Sequence, residues 1–426
     1  MSEKLLWLKL DNAAKIFPAA RRRKWNNVFR LSVSLTEDVE LPVLEKALER
    51  VVRRCPSIAV RVRPGMFWYY LEQLPEAPRP QPDGSYPLAL MPFRDVRRCA
   101  FRVLYYKNRI AVEFFHSLTD GNGGLVFLKT LTAEYLKEKY GLEIPAEAGV
   151  LDCSEAPRPE ELEDLFPKYS APAALSRQES SAYRLWGTAE KDDFRNLTCG
   201  TMPVDKVKEV ARQYGGTVTE FLTAVMLQSV MGIQAREVPK VTRRKPVKVS
   251  LPINLRKVFG SGNTLRNFMY FTNVGVETKL GDYTLQQLVQ VVHHQLALAV
   301  MPQNMAGQIA ANVLPEQSLA LRITPLFLKN FAMKMVYDHV GESKNCLNIS
   351  NLGLAKLPEV MYPYVRHMDF ILGTQATYPN NCGVIACGNE LRVNMIRNIR
   401  EAELERRFFT ALVELGIPVE IESNQR

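Results

Sequence analysis

Two side chains that can exchange protons lie close together in residues 110–124, which have the sequence IAVEFFHSLTDGNGG. His116 follows an apolar run, and Asp120 comes four positions later in a polar turn rich in glycine. An imidazole has an unperturbed pKa near neutrality, so a neutral His116 can take a proton from a hydroxyl, an amine or a thiol. The pattern therefore indicates a general base, with Asp120 as its nearest acidic neighbour.

Asp120 admits three interpretations from these residues alone. Its carboxylate can orient the His116 ring directly, or it can fix the loop by pairing with a distant arginine. It can also cap the helix that starts near Gly121, and His116 is then an ordinary strand-end residue. A strand that ends in a glycine-rich turn favours a functional role, because the strand is rigid and the turn admits a ligand.

The elements on either side of this turn predict how His116 is held. Residues 99–106 and 110–115 are predicted to form a hairpin, followed by an amphipathic helix over residues 124–139. Residues 28–35 alternate between apolar and polar side chains, which predicts a strand that is buried on one face only. His116 is therefore expected at the end of a strand, just before a helix.

The chain divides into two halves around a segment of different composition. Residues 142–182 are rich in proline, alanine and acidic residues, which indicates a surface crossover between residues 1–141 and residues 183–426. Both halves mix helices with hairpin-linked strands, so the predicted fold class is α+β with two lobes. The length of 426 residues also exceeds the size at which one hydrophobic core keeps growing.

Composition narrows the classes of function. The formal charge is +10, but no nucleic-acid motif accompanies it, so nucleic-acid binding ranks last. The seven cysteines show no metal-site spacing, and no phosphate-binding glycine loop of the P-loop or dinucleotide type occurs. No run approaches the roughly 18 apolar residues of a membrane helix. We expect a cytoplasmic protein with no membrane span, no bound metal and no permanent cofactor.

Residues 116–121, HSLTDG, fit the HxxxDG signature of the CoA-dependent acyltransferase superfamily. That group includes chloramphenicol acetyltransferase, plant BAHD acyltransferases, alcohol acetyltransferases and the condensation domains of peptide synthetases. The chain most resembles the stand-alone alcohol acetyltransferase-like branch, including the opening DNAAKIFP of residues 11–18.

Three segments of the second half carry further resemblance. Residues 251–256 (LPINLR) and 265–268 (LRNF) resemble the BAHD segment that holds an arginine and a later asparagine. Residues 348–353 (NISNLG) resemble a Ser-Asn-Leu-Gly turn of condensation-type relatives. Residues 369–373 (DFILG) resemble the BAHD motif DFGWG but lack its central glycine and tryptophan, so only a structural role near the lobe interface carries over.

The resemblance implies two chloramphenicol-acetyltransferase-like lobes with an active-site channel between them, formed within a monomer. It implies transfer of an acyl group, with acetyl the first choice, from acyl-CoA to a small alcohol or amine. His116 would be the general base, Asp120 a structural partner of Arg256, and Gly121 the residue that allows a tight turn. Four further residues are expected to line the channel or to stabilise the oxyanion: Asn254, Asn267, Ser350 and Asn351.

Two other functions remain open on the same fold. The acyl donor can instead be a thioester on an acyl carrier protein, as in condensation domains. The protein can also be a binding protein with lapsed catalysis, although the intact HSLTDG argues against this. The basic residues 243–248 would suit the phosphates of CoA or an acidic carrier protein equally, or they form a solvated face.

Overall fold

The computed structural model describes residues 5–20, 27–175, 179–336, 343–375 and 378–425. The strands in these ranges are β1 (Trp7–Lys9), β2 (Val28–Leu35), β3 (Val60–Pro64), β4 (Tyr69–Gln73), β5 (Gln81–Pro82), β6 (Phe101–Tyr106), β7 (Arg109–Phe115), β8 (Asn196–Pro203), β9 (Val247–Asn254), β10 (Met269–Val276), β11 (Leu347–Leu354), β12 (Val365–Ile371), β13 (Asn380–Cys387), β14 (Glu390–Arg397) and β15 (Glu420–Ser423). The helices are α1 (Ile16–Ala20), α2 (Leu41–Arg54), α3 (Phe93–Val96), α4 (Gly121–Tyr140), α5 (Val204–Gln213), α6 (Val218–Glu237), α7 (Leu255–Phe259), α8 (Leu285–Ala299), α9 (Pro302–Gln317), α10 (Leu319–Ile323), α11 (Leu326–Val336) and α12 (Glu403–Glu414).

The strands of the described residues form three sheets. A five-stranded sheet has the order β12-β2-β7-β6-β5, and a small sheet has the order β1-β4-β3. A seven-stranded sheet has the order β10-β9-β11-β13-β14-β8-β15. Both larger sheets combine antiparallel with parallel pairs, since β5 runs parallel to β6 and β11 runs parallel to β13. The architecture is α+β, with helices flanking mixed sheets.

Strand β12 joins the two halves of the sequence. It comes late in the chain, yet it pairs antiparallel with β2, with Met368 opposite Val33. Met368 and Phe370 are buried in the same hydrophobic cluster as Phe29 and Phe114. The five-stranded sheet is therefore complete only with a strand from the second half.

Strand β2 is buried on both faces, so the expectation of a half-buried strand was wrong. One face carries apolar side chains, as the alternation predicted. On the other face Arg30 Nη1 donates to Asp83 Oδ1 at 3.0 Å and to Glu113 Oε1 at 3.2 Å. Polar alternation resembles solvent exposure, but here Arg30 can be buried because it has two charged partners.

The crossover of residues 142–182 lies mostly at the surface, as predicted, but a few of its side chains are buried. Glu161 forms a two-hydrogen-bond ion pair with Arg54, at 2.5 and 2.8 Å. Phe166 packs edge-on against Phe268, with ring centroids 5.4 Å apart. The Leu265 amide also donates to the Glu161 carbonyl oxygen at 3.0 Å. The crossover therefore supports the loop that precedes β10.

Helix boundaries differ from expectation in three places. Thr217, not Thr219, caps α6, because its hydroxyl accepts from the Glu220 amide while the Glu220 side chain accepts from the Thr217 amide. Helix α9 was not predicted. The helix expected over residues 318–340 is interrupted at Pro325 as predicted and forms α10 and α11, but residues 337–340 lie outside the described residues.

Helix α6 is a core helix of the second lobe. Among the helices of the described residues, α6 is the one that is long and apolar enough to cross a membrane, judged by length and composition alone. Its most apolar window is nevertheless 67% buried inside the protein. Phe221, Leu222 and Val225 contribute to the core that the seven-stranded sheet also lines.

Candidate active site

His116 directly follows β7, where the strand gives way to the turn before α4. Its backbone amide donates to the Asn27 carbonyl oxygen at 2.8 Å, which extends the strand pairing to this residue. The half-buried ring stacks on Phe17, with centroids 4.7 Å apart, and meets Phe29 edge-on at 5.1 Å. Two aromatic side chains therefore hold the imidazole in place.

This apolar setting keeps His116 neutral at pH 7. Burial lowers the pKa of His116 below its ordinary value of 6.5, because the charged ring loses hydration. Its own backbone carbonyl, the Asp120 carboxylate and the Asn267 side chain act in the opposite direction, but burial dominates. A neutral imidazole is the form that can accept a proton.

A chain of three side chains decides which ring nitrogen carries the proton. His116 Nδ1 lies 3.1 Å from Asn267 Oδ1, and Asn267 Nδ2 donates to Asp11 Oδ2 at 3.1 Å. A carboxylate only accepts, so the amide nitrogen of Asn267 faces Asp11 and the amide oxygen faces His116. An amide oxygen also only accepts, so Nδ1 is the protonated nitrogen. His116 Nε2 therefore has the free lone pair.

Asp11 is held in place by two further contacts. Its Oδ1 accepts from the Ala14 amide at 2.7 Å, and its Oδ2 lies 3.7 Å from the Arg266 guanidinium. Burial raises the pKa of Asp11 to about 6, and Arg266 partly offsets this effect. At neutral pH the carboxylate is therefore ionised and available as an acceptor.

Asp120 accepts four hydrogen bonds, and none of them comes from His116. Oδ1 accepts from the amides of Asn122 and Gly123 at 3.1 and 3.0 Å, which caps α4. Oδ2 accepts from Arg256 Nη1 at 2.7 Å and from the Phe268 amide at 2.9 Å. Burial alone would raise the pKa of Asp120, but Arg256 and the backbone donors hold it below 3.8. The carboxylate thus both caps the helix and pairs with the arginine.

Arg256 shapes the loop that presents Asn267. Its Nε and Nη2 donate to the Thr264 carbonyl oxygen at 3.1 and 2.9 Å, and Nη2 donates to the Arg266 carbonyl oxygen at 2.6 Å. The same guanidinium holds Asp120 at the start of α4. The pair therefore fixes the distance between the His116 turn and the loop that carries its partner Asn267.

The other predicted site residues lie in different places. The Asn254 side chain accepts from the Arg256 amide at 3.1 Å and caps α7. Asn351 donates to Thr219 Oγ1 at 3.0 Å and accepts from the Gly353 amide at 2.8 Å. Ser350 is buried in β11, and among the described residues no hydrogen bond joins it to His116. The structure thus brings Asn267 to the histidine, while Asn254 caps a helix and Asn351 holds the end of β11.

The glycines after Asp120 are needed because neighbouring atoms leave little room for a side chain, and not because of their backbone conformation. Gly121 does not have a positive φ, so the predicted tight turn does not explain it. A Cβ at Gly121 would lie 2.8 Å from the flexible end of Leu352. A Cβ at Gly123 would lie 2.3 Å from the Leu265 carbonyl oxygen, which also accepts from the Thr119 hydroxyl at 2.5 Å. A side chain is therefore harder to accommodate at position 123 than at position 121.

Asp11 and Phe17 are the site residues that sequence reasoning missed. Both fall in residues 11–18, which were noted as a family-like opening but received no role. Asp11 and Asn267 are 256 positions apart, so no local periodicity can pair them. Lys9 and Lys15 flank Asp11 in the sequence, so no local signal distinguished it from a surface residue.

A cavity of about 420 Å³ lies between the five-stranded and seven-stranded sheets, and His116 does not line it. Its wall includes Asp369 of the DFILG segment, which pairs with Arg392 of β14 (Nε to Oδ1, 2.7 Å). Arg392 Nη2 also donates to Glu422 at 2.7 Å. Asp369 thereby links the two large sheets, which is a structural role.

We expect Asp11→Asn to lower kcat about 10- to 100-fold with little change in KM. The new amide must present its oxygen to the Ala14 amide, so its NH₂ group faces the NH₂ group of Asn267. Asn267 then turns, offers a donor to His116 Nδ1 and favours the tautomer that is protonated at Nε2. The effect is limited because the ring also interacts with its own backbone carbonyl group, which the substitution leaves in place.

Steady-state kinetics combined with ¹⁵N NMR of the His116 ring would measure both consequences of Asp11→Asn. An unchanged kcat together with a changed tautomer would show that catalysis does not depend on which ring nitrogen of His116 is protonated. An unchanged tautomer would contradict the three-residue chain itself.

Comparisons with known proteins match this fold but not this sequence. No family model and no curated protein matches the sequence. Among solved structures, TRI3 trichothecene 15-O-acetyltransferase from Fusarium sporotrichioides superposes with a TM-score of 0.62 at 11% identity, covering 97% of this chain and 95% of that chain. TRI101 from F. graminearum, complexed with coenzyme A and deoxynivalenol, gives 0.62 at 12% identity over 97% and 99%. The first condensation domain of the calcium-dependent antibiotic synthetase gives 0.58 at 13% identity over 96% of each chain.

These structures span acetyltransferases and a condensation domain, and each is covered almost completely. The chain therefore has the two-lobed fold that CoA-dependent acyltransferases share with condensation domains. The fold class predicted from the sequence is confirmed, and the resemblance to this superfamily is confirmed at the level of the fold.

Proposed function

We propose that this protein is an acyltransferase that moves an acyl group from a CoA thioester to a small alcohol or amine, with His116 as general base. The observation that carries the proposal is the Asp11–Asn267–His116 chain. It leaves Nε2 unprotonated on a ring whose pKa is lowered, which is the state a base requires. The acetyltransferase neighbours, and the TRI101 complexes with coenzyme A, support the donor class.

The reaction requires one proton to move out and back. His116 Nε2 takes the proton of the acceptor hydroxyl or amine as its oxygen or nitrogen attacks the thioester carbonyl. The tetrahedral intermediate carries an oxyanion, for which Ser350 remains our predicted hydroxyl donor. The C–S bond then breaks, the imidazolium returns its proton to the thiolate, and an ester or amide leaves together with the free thiol.

We infer further that one chain suffices for catalysis. His116 and Asp120 come from the first half, and their respective partners Asn267 and Arg256 come from the second half, which supports a channel between the lobes of a monomer. Light scattering should give the mass of one chain at the concentration of the assay. An obligate oligomer would contradict this assignment.

Incubation with acetyl-CoA and pooled alcohols and amines, followed by detection of free thiol, tests the proposed function. A parallel reaction with an acetylated carrier protein distinguishes the two donor classes. Acceptor-dependent thiol release from acetyl-CoA supports the proposal. Release from the carrier protein alone would assign a condensation-type donor, and binding of CoA without any release would indicate lapsed catalysis.

We expect kcat/KM to be constant at neutral pH and to fall on acidification, with a midpoint below pH 6.5. The direction follows from the lowered pKa of His116, because the neutral base persists above that pKa and is lost below it. Asp11, whose pKa is raised to about 6, titrates in the same range. The pH profile of Asp11→Asn would separate the two groups, and a midpoint above pH 7 would contradict the assignment.

A further inference from the structure

Helix α11 has its polarity reversed: it buries a cation and exposes aromatic side chains. Lys329 is only 2% exposed, and its Nζ donates to the carbonyl oxygens of Phe67 and Arg322 at 3.0 and 3.3 Å. On the outer side Phe327 and Phe331 are 70% and 68% exposed. A surface helix of a globular protein normally does the opposite. The outer side of α11 is therefore suited to an apolar environment.

The same polarity continues into the neighbouring segments. Leu319 and Ile323 of α10 are 72% and 60% exposed. The exposed Met66 lies beside the start of α11, where its carbonyl oxygen accepts from the Leu326 amide at 3.0 Å. We define the apolar face as the exposed side chains Leu319, Ile323, Phe327, Leu328, Phe331 and Met335. Clustered exposure of large apolar side chains marks an interaction surface rather than ordinary solvated surface.

The charged side chains of α10 and α11 are all of one sign. Residues 319–336 contain Arg322, Lys329 and Lys334 but no aspartate or glutamate. Arg322 and Lys334 are exposed, and the preceding Glu316 is already paired with Lys15. Apolar side chains flanked by cations match the interface of an anionic lipid bilayer. A second copy of this chain would instead bring like charges together.

We propose that α10 and α11 attach this protein to the surface of anionic lipid membranes. The apolar face enters the boundary between headgroups and acyl chains, and Arg322 and Lys334 contact lipid phosphates. This is surface attachment and requires no membrane-spanning segment. The proposal rests on the polarity of these helices and does not depend on the acyltransferase assignment.

Docking in this orientation has a consequence for access to the catalytic histidine. Helix α11 packs against α1, and Phe17 of α1 stacks on His116. One short helix, α1, therefore contacts both the proposed membrane-facing helix and the histidine. Acceptors or acyl chains that partition into lipid would be concentrated near it.

Flotation with lipid vesicles tests the attachment. The protein should float with vesicles of phosphatidylcholine containing about 30% phosphatidylglycerol, and much less with phosphatidylcholine alone. The variant F327S/F331S should lower the partition coefficient at least about tenfold, because two exposed aromatic anchors are lost. The control Val413→Ser, at an exposed apolar position of α12, should bind as the wild type does.

A charge variant gives an independent measurement. R322Q/K334Q should reduce binding to the anionic vesicles and remove most of the difference between the two lipid mixtures. Failure of the wild type to float, or full binding by F327S/F331S with an unchanged melting temperature, would overturn the proposal. A wild-type dimer that F327S/F331S converts to a monomer, without vesicle binding, would assign the apolar face to a second copy instead.

Discussion

His116→Ala should lower kcat/KM by about 10²- to 10⁴-fold, the usual contribution of a positioned general base. Without the imidazole, the acceptor would have to lose its proton to water. The binding surfaces of both lobes would remain, so part of the rate enhancement would persist. The half-buried ring is held by stacking and by a single side-chain hydrogen bond, so its loss should cost little stability. Steady-state rates of thiol release, together with melting temperatures, would measure the two effects separately.

His294→Ala is the matched control for this experiment, because His294 is an exposed histidine on α8. It should retain wild-type rates. Added imidazole should restore part of the activity of His116→Ala, since a small base can enter the space left by the ring. Full activity of His116→Ala without imidazole would refute the role of His116 as the base.

Asp120→Asn should destabilise the protein by about 3–5 kcal/mol, as expected for breaking a buried ion pair. The carboxylate accepts from Asn122, Gly123, Arg256 and Phe268, two donors on each oxygen. An amide has only one oxygen, so two donors stay unsatisfied in either orientation. The rate should fall as well, because the Arg256 loop carries Asn267. Urea denaturation would measure the stability change.

Asp95→Asn provides the comparison at an exposed ion pair, that of Arg94 and Asp95 at 3.6 Å. Exposed pairs contribute about 0–1 kcal/mol, so the denaturation midpoint should barely move. Equal midpoints for Asp120→Asn and the wild type would show that the Asp120–Arg256 pair is dispensable for folding. A changed midpoint with an unchanged rate would show that the pair does not position Asn267.

The sequence predicted those parts of the site that depend only on interactions between residues close together in the chain. A hairpin, a turn and a helix start are encoded within residues 99–141, so the position of His116 at a strand end could be derived from the sequence. The resemblance of LPINLR to a family segment predicted that Arg256 pairs with Asp120. The hydrogen bond between Asn267 and His116 could not be predicted from the sequence. It depends on the conformation of residues 264–268, which Arg256 holds through their carbonyl oxygens.

The errors about burial share one physical cause, which is that burial depends on partners distant in sequence. Arg30 on β2 looked like a solvent-facing residue until Asp83 and Glu113 enclosed it. Glu161 looked like part of a surface crossover until it met Arg54. Lys329 is the extreme case, since a lysine in a largely apolar segment gives no sign that it faces inward while the phenylalanines face out.

The pairing of β12 with β2 also constrains the order in which the chain can mature during synthesis. When the ribosome has released the first 182 residues, β2 still has one unpaired edge, because its neighbour lies at Val365–Ile371. An unpaired strand edge is a site for association with other chains. Closure of this sheet must wait for nearly the whole polypeptide, so folding is dominated by a long-range contact. The nascent first lobe therefore exposes this edge until the last quarter of the chain emerges.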